Sequence, residues 1–298
     1  MNAETDFNDK LSFDYKEQNK YQDNELYSIY FRDLYFCIDP TIKEGFKDLI
    51  KFSNCSDNFT EILNNYLEQN HNGYGRNSLL SLLLHMGNDL VYKGRVVFEF
   101  VSSFSEDETF KAFELVRLDP DFCLIKRNKV LFKAPDYNGN EKKVVIPKSK
   151  CIIINFPKQL GGYRGYQNVV YSVFKIGSKF LDSGKFDVYK STKHMKEWDK
   201  NFNKIVSKWG NIHLENNTTE YYNVINDFRL KKTQVYCILA LIDGLNNIVI
   251  KLNEKLHERA KVVFSSDVYD IDKVLLLEKK WEKGELSFDE VRKITSLR

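Results

Sequence analysis

The chain has 298 residues, of which 42% are hydrophobic and 29% charged, which is typical of a folded soluble protein with one large domain or two modest ones. These values exclude a disordered or fibrous chain, and the five cysteines are too widely spaced for a disulfide or zinc framework. The net charge is +3, but residues 1–70 hold 14 acidic and 7 basic residues, so the positive excess lies after residue 70.

Residues 1–70 are predicted to form an acidic N-terminal arm followed by short helices. The first 23 residues are polar and aperiodic, and they lack the basic region and apolar core of a signal peptide. Asn58 and Glu61 have the spacing of a capping box, which predicts that a helix begins at Phe59. No uninterrupted apolar stretch in the chain approaches the roughly 20 residues of a membrane span, so we expect no membrane association.

Residues 71–160 are predicted to be an α/β domain. Ser78 to Leu90 is a leucine-rich helical segment. After it the period changes, because Val96, Phe98 and Phe100 alternate with their neighbours as in a strand. Short apolar runs separated by turn residues continue to Phe156, which predicts an antiparallel meander packed on at least one helix.

The second half of the chain contains no proline, since all five lie in the first 157 residues, and it is therefore free to form long helices. A helical pattern covers residues 167–209, and residues 210–227 are interpreted as an irregular or short β excursion. A long helix with a buried side or a subunit contact is predicted next, with Gly244 as a candidate for a kink. Its apolar seam consists of Phe228, Val235, Ile238, Ile242, Leu245, Val249, Leu252 and Leu256.

The C-terminal residues carry two capping signals. Gly284 is predicted to end a helix over Lys273–Glu282, and Ser287 with Glu290 forms a capping box that opens the next helix. Together with the meander, these elements predict a helix-rich α+β fold.

No sequence motif indicates catalysis, a metal or a cofactor. The chain has no P-loop and no G-x-S-x-G turn. His194 with Glu197, and the acidic cluster of Asp267, Asp270 and Asp272, were weighed as metal ligands, and a surface or structural role is favoured for each.

Two basic stretches bear on the partners of this protein. Residues 125–150 contain eight lysines and arginines against two acidic residues, and residues 175–208 contain nine lysines against four acidic residues. Both stretches are compatible with contacts to phosphate and with an ordinary solvated lysine surface.

Several stretches, in their order along the chain, resemble the portal protein family of tailed bacteriophages. The helix-to-strand segment Leu79–Phe100 and the run Ile146–Ile153 resemble the family's wing. The glycine turn Gly161–Gly165 is similar to the turn that opens its next helix. Ile250–Leu256 resembles the family's I-E-x-x-L-N-x-x-L segment, and Gly284–Arg292 its G-x-L-T-x-N-E-x-R end.

The resemblance implies a structural protein with no enzymatic activity and no cofactor. Such a protein forms a ring, usually a dodecamer, at one vertex of the virion capsid after assembly in the host cytoplasm. Its partners are further copies of itself, the major capsid protein, terminase, head-completion or adaptor proteins, and the double-stranded DNA that passes through the channel during packaging and ejection.

The resemblance also implies a domain organisation. Residues 71–160 and the C-terminal helical part 261–298 form the wing, and residues 161–260 hold the stem helices with a reduced clip at 210–227. Lysines flanking the clip on the two stem helices would face DNA, although they would equally face solvent if they lay outside the ring. They are Lys200, Lys204, Lys208, Lys231 and Lys232. The alternatives are a nucleic-acid-binding or nucleic-acid-processing protein of unassigned type, and a helical adaptor.

Overall fold

The computed structural model describes residues 44–68, 79–135, 141–181, 200–202, 204–210, 219–266 and 269–295. These residues form helices and antiparallel sheets, which confirms the α+β fold class. The chain divides into two compact units. The sheet unit contains the described residues within 40–156 and 237–269, and the helical unit contains those within 157–236 and 270–298. The predicted arm over residues 1–23 lies outside the described residues.

The strands in the described part of the chain form three antiparallel sheets, with the orders β3-β2-β7, β4-β5-β6 and β1-β8. The predicted single meander is therefore divided between two three-stranded sheets, because β7 pairs with β2 rather than with β6. The strands are β1 (Ile50–Ser53), β2 (Arg95–Phe104), β3 (Phe110–Arg117), β4 (Cys123–Ile125), β5 (Lys129–Pro135), β6 (Glu141–Pro147), β7 (Cys151–Asn155) and β8 (Lys261–Phe264).

Six α-helices lie within the described residues. They are α1 (Asp57–Glu68), α2 (Leu79–Lys93), α3 (Gly162–Leu181), α4 (Glu220–Leu256), α5 (Ile271–Glu282) and α6 (Phe288–Thr295). Residues 200–202 and 204–206 are also helical. Short 3-10 turns precede β1, β4, β7 and α3.

The smallest sheet corrects two expectations. Residues 50–53 were expected in a helical region and residues 261–264 in a helical C-terminal part, but they pair as β1 and β8, with Ile50 opposite Phe264. Four-residue strands leave too short a pattern to be recognised in sequence, and their stability comes from a partner more than 200 residues away.

One buried cluster joins the two larger sheets. It contains Val97 on β2, Val130 on β5, Ile146 on β6 and Cys151 on β7, all with less than a tenth of their surface exposed. Val130 and Ile146 face each other across β5 and β6. Removing this apolar surface from water fixes the turns that connect the sheets.

Helix α4 confirms the predicted seam, since seven of its eight residues are buried and only Leu256 is partly exposed. The helix is unbroken at Gly244. The helix begins at Glu220, so residues 220–227 are helical, whereas an irregular or short β segment was expected there. Residues 211–218 of the proposed clip lie outside the described part. Residues 220–236 belong to the helical unit and residues 237–256 to the sheet unit.

Within the described residues, one helix, α4, is long and apolar enough by composition to cross a membrane. The interior of the protein buries 56% of its most apolar window, and a core helix of a folded domain meets the same test. The sequence expectation counted uninterrupted apolar runs, which Asp243, Asn246 and Asn247 break in this helix.

Aromatic contacts hold the helical unit together. The ring centroid of Trp281 on α5 lies 5.0 Å from that of Tyr221 and 6.0 Å from that of Phe228, both on α4. The indole N–H of Trp209 donates to the carbonyl of Leu160 at 3.1 Å. These rings bury apolar area and still satisfy the polar edge of Trp209.

The C-terminal caps are confirmed. Gly284 has a φ of +74° after the end of α5, and its N–H donates to the carbonyl of Trp281 at 2.8 Å. The hydroxyl of Ser287 accepts from the N–H of Glu290, and the Glu290 carboxylate accepts from the N–H of Ser287 at 2.8 Å. Glycine adopts this left-handed conformation without strain, and the box satisfies N–H groups that no helical carbonyl reaches.

Candidate nucleic-acid interface

Five cations converge on two adjacent turns of the sheet unit, and we call this set the basic corner. Lys126, Arg127 and Lys129 lie at the hairpin between β4 and β5, and Lys148 and Lys150 lie on the 3-10 turn between β6 and β7. All five side chains are exposed. All five lie in the basic stretch 125–150, but their spacing in sequence does not predict that one corner of a sheet holds them.

Backbone hydrogen bonds fix the two turns to each other. The N–H of Lys148 donates to the carbonyl of Asn128 at 3.0 Å, which links the 3-10 turn to the hairpin. Within the hairpin, the N–H of Lys126 donates to the carbonyl of Lys129 at 2.8 Å. The side chains therefore extend from a defined backbone.

Residues of the buried cluster flank both turns and hold them in place. Val130 directly follows Lys129, and its partner Ile146 is two residues before Lys148. Cys151 follows the 3-10 turn, and its N–H donates to the carbonyl of Lys148. A turn whose neighbouring residues are buried this deeply keeps its place in the fold.

Charge in the basic corner is not neutralised by described acidic residues. None of its five cations forms an ion pair within the part of the chain that the structure describes. Lys251 on α4 adds a sixth cation, because its ammonium group donates to the carbonyl of Ser149 between Lys148 and Lys150.

One carboxylate lies close to this sixth cation. Glu99 is opposite Cys151 in the register of β2 and β7. Burial raises the pKa of the Cys151 thiol, with a smaller contribution from Glu99 and an opposing one from Lys251. Both charges therefore lie near the Cys151 side chain.

The five lysines predicted to face DNA fall into two groups. Lys200 and Lys204 are exposed on the short helical segment, and Lys208 is exposed in the turn that follows it. For these three lysines, contact with DNA stays a prediction. Lys231 is a correction, because it is only 5% exposed on α4, and burial lowers its pKa.

Lys232 is also engaged inside the protein, in an ion pair. Its ammonium group lies 2.6 Å and 2.9 Å from the two carboxylate oxygens of Glu278 on α5. The spacing of residues along a helix shows which of them lie on the same side as the apolar seam. It does not show whether other elements of the fold cover the remaining sides. The sequence could therefore not separate Lys231 and Lys232 from exposed lysines.

A second group of charged residues in the sheet unit is paired internally. Asp89 on α2 is 2% exposed and binds the guanidinium of Arg117 on β3, with Nε and Oδ2 at 2.8 Å. Lys93 binds Asp121, and its Nζ lies 3.9 Å from a carboxylate oxygen of Asp119. Each carboxylate has a cationic partner, so this group holds α2, β3 and the turn before β4 together.

Two aspartates, Asp119 and Asp270, act as helix N-caps. Asp119 accepts from the N–H of Asp121 at 3.0 Å, as expected for an Asp-Pro-Asp turn. Asp270 accepts from the N–H of Asp272 at 3.0 Å and opens α5. Among the described residues no three His, Cys, Asp or Glu side chains are grouped as metal ligands. Asp267, His194 and Glu197 lie outside those residues.

The chain has no significant match among models of known protein families or among curated proteins.

Proposed function

We propose that this protein is the subunit of a portal, a ring-shaped channel at one capsid vertex through which double-stranded DNA is packaged and ejected. The ring is a homo-oligomer, with twelve subunits as the expected number. In this proposal the protein has no catalytic site. It docks terminase and the head-completion proteins, and it contacts the major capsid protein.

The observation that carries the proposal is that two separate segments of the chain build the sheet unit. The chain builds this unit up to Phe156, leaves it for residues 157–236, and returns at Cys237 to complete it. The family resemblance implies a similar order, in which a wing is begun before the stem and clip and completed after them. The boundaries differ, because residues 237–260 of the proposed stem belong to the sheet unit and residues 270–298 of the proposed wing belong to the helical unit. The glycine turn of the resemblance, Gly161–Gly165, follows closely on the point where the chain leaves the sheet unit.

The parts of the portal are assigned as the resemblance implies. Residues 71–160 and 261–298 form the wing, the helices within 161–260 form the stem, and residues 210–219 are what remains for the clip before α4 begins. Lys200, Lys204 and Lys208 belong to the stem on this assignment. Their exposed ammonium groups would face the phosphates of DNA in the channel.

Light scattering and negative-stain microscopy of the purified full chain test the proposal. We expect a ring whose mass is twelve times the 35.1 kDa of the subunit. A matched variant, Lys200→Gln/Lys204→Gln/Lys208→Gln, should form the same ring, because these lysines contact DNA and not a neighbouring subunit. A stable monomer at micromolar concentration and at the salt concentration of virions would overturn the proposal.

A further inference from the structure

The basic corner (Lys126, Arg127, Lys129, Lys148 and Lys150) combines three properties that ordinary surface lysines lack. Its cations come from two turns that a backbone hydrogen bond joins, its base rests on the buried cluster between the sheets, and its charges are unpaired among the described residues. Clustered charges of one sign repel each other and destabilise the folded chain unless an anionic partner compensates them.

We propose that the basic corner is a binding site for the phosphate backbone of duplex DNA. Lysine and arginine side chains that neutralise phosphates release condensed counterions, and this release supplies the free energy of sequence-independent binding. Five cations on one corner can contact several phosphates of one duplex. The site is separate from Lys200, Lys204 and Lys208, which lie in the helical unit.

The residue types of the two turns favour duplex DNA over single strands. Residues 126–129 and 147–150 contain no aromatic side chain, whereas single-strand binders stack bases on aromatic rings. The aromatic residue of β5, Phe132, is partly buried against the core cluster and lies 6.4 Å, centroid to centroid, from Phe122. It is therefore not presented beside the cations.

The same composition argues against an acidic protein or a membrane surface as the partner. Protein interfaces are organised around buried apolar anchors, and peripheral membrane sites insert large apolar side chains between lipids. Pro147 is the one apolar residue in residues 126–129 and 147–150. Contacts to phosphate need cations and no apolar centre.

This inference does not depend on ring assembly. A portal with the basic corner would bind DNA outside the stem, and a nucleic-acid-binding protein of another type would use the same site. Oligomeric state is read by light scattering and DNA affinity by anisotropy, so the failure of one proposal can be told from the failure of the other.

The test uses the full chain and a fluorescein-labelled duplex, with anisotropy measured between about 50 and 200 mM salt. We expect the logarithm of affinity to fall with the logarithm of salt concentration with a slope at least as steep as about −4.5, the value for five phosphate contacts at about 0.9 each. The variant Lys126→Gln/Arg127→Gln/Lys129→Gln should reduce the slope by about 3, at about one per cation. Lys148→Gln/Lys150→Gln should reduce it by about 2.

A matched control removes three exposed lysines elsewhere in the same unit, as Lys47→Gln/Lys51→Gln/Lys261→Gln. It should keep the slope of the wild type. Equal slopes for the wild type and both corner variants, or an equal loss in the control, would overturn the proposal. So would tighter binding to poly-glutamate or to phosphatidylserine vesicles than to the duplex. Two corner variants on separate turns guard against a folding defect in either one.

Discussion

Gly244 on α4 lies directly against Ile154 on β7. A Cβ atom at position 244 would be 2.1 Å from Cδ1 of Ile154 and 2.9 Å from Cε of Met86. A glycine inside a helical pattern suggests a kink, but the helix continues unbroken through Gly244. The structure gives the glycine another role, which is to let α4 approach β7 and α2 more closely than any side chain would permit.

This contact predicts that Gly244→Ala destabilises the protein. Alanine favours the helix by about 1 kcal/mol, but overpacking a core costs about 1 to 3 kcal/mol, so we expect a net loss in the free energy of unfolding. Chemical denaturation measures the change. Gly165→Ala on α3 is the control, because its Cβ would meet a carbonyl oxygen at an ordinary 3.6 Å. Ile154→Val, which removes Cδ1, should recover part of the loss, and no recovery in the double variant would contradict the contact.

The start of α1 predicts different effects for two neighbouring residues. The hydroxyl of Ser56 accepts from the N–H of Phe59 at 3.0 Å, so Ser56 is the N-cap, and the expected capping box at Asn58 is wrong. Ser56→Ala should therefore lower the free energy of unfolding by about 1 kcal/mol. Asn58→Ala, at an exposed position inside the helix, should leave it nearly unchanged. Equal losses in the two variants would restore Asn58 as the cap.

Removing Arg117 should expose the cost of a buried carboxylate. Asp89 would keep its position 2% exposed but lose the guanidinium that pairs with it. We expect Arg117→Met to lower the free energy of unfolding by about 3 kcal/mol near neutral pH. The double variant Asp89→Asn/Arg117→Met should recover part of this loss, because no charge then remains buried. A double variant as unstable as the sum of the single ones would argue that the pair is not coupled.

The ion pair of Lys232 and Glu278 predicts an effect on stability and not on DNA binding. Both side chains are 22% exposed, so Lys232→Met should lower the melting temperature by leaving the Glu278 carboxylate without this partner. DNA affinity should remain that of the wild type. The converse is expected for the Lys200, Lys204 and Lys208 triple variant, whose side chains are exposed and whose melting temperature should be unchanged. Weaker DNA binding by Lys232→Met would return that lysine to the candidate interface.

The capping box of α6 predicts a dependence on pH. The N–H of Ser287, and then its hydroxyl, hold the pKa of Glu290 below its usual range. A lowered pKa in the folded state means that the stabilisation is present above the pKa of the unfolded chain and is lost as pH falls through the folded pKa. Acidification below the ordinary glutamate value of about 4.3 should therefore loosen α6 in the wild type.

Carboxyl NMR checks this prediction directly. Glu290 should titrate below the ordinary glutamate range, and Ser287→Ala should raise its pKa part of the way back, since the backbone N–H remains. Glu290→Gln serves as the control that cannot titrate, and helix α6 should then show no change over the acidic range. Titration of Glu290 at or above its ordinary value would contradict the box.

The sequence by itself determined those features that depend on residues close together in the chain. Periodicity predicted the strands between Val96 and Phe156 and the buried seam of α4, and the spacing of Ser287 and Glu290 predicted the last helix, because these patterns arise from backbone geometry within a few residues. The same local patterns placed the ends of α5 within two residues of where they lie.

Only the tertiary structure decided which distant residues meet. The pairing of Ile50 with Phe264, the burial of Lys231 and the hydrogen bond between Lys148 and Asn128 each depend on segments that are separate in sequence. Such contacts form because the whole fold buries apolar area, and a local sequence pattern does not show which distant residues this burial brings together. The basic corner is therefore a property of the fold, although every one of its lysines was visible in the sequence.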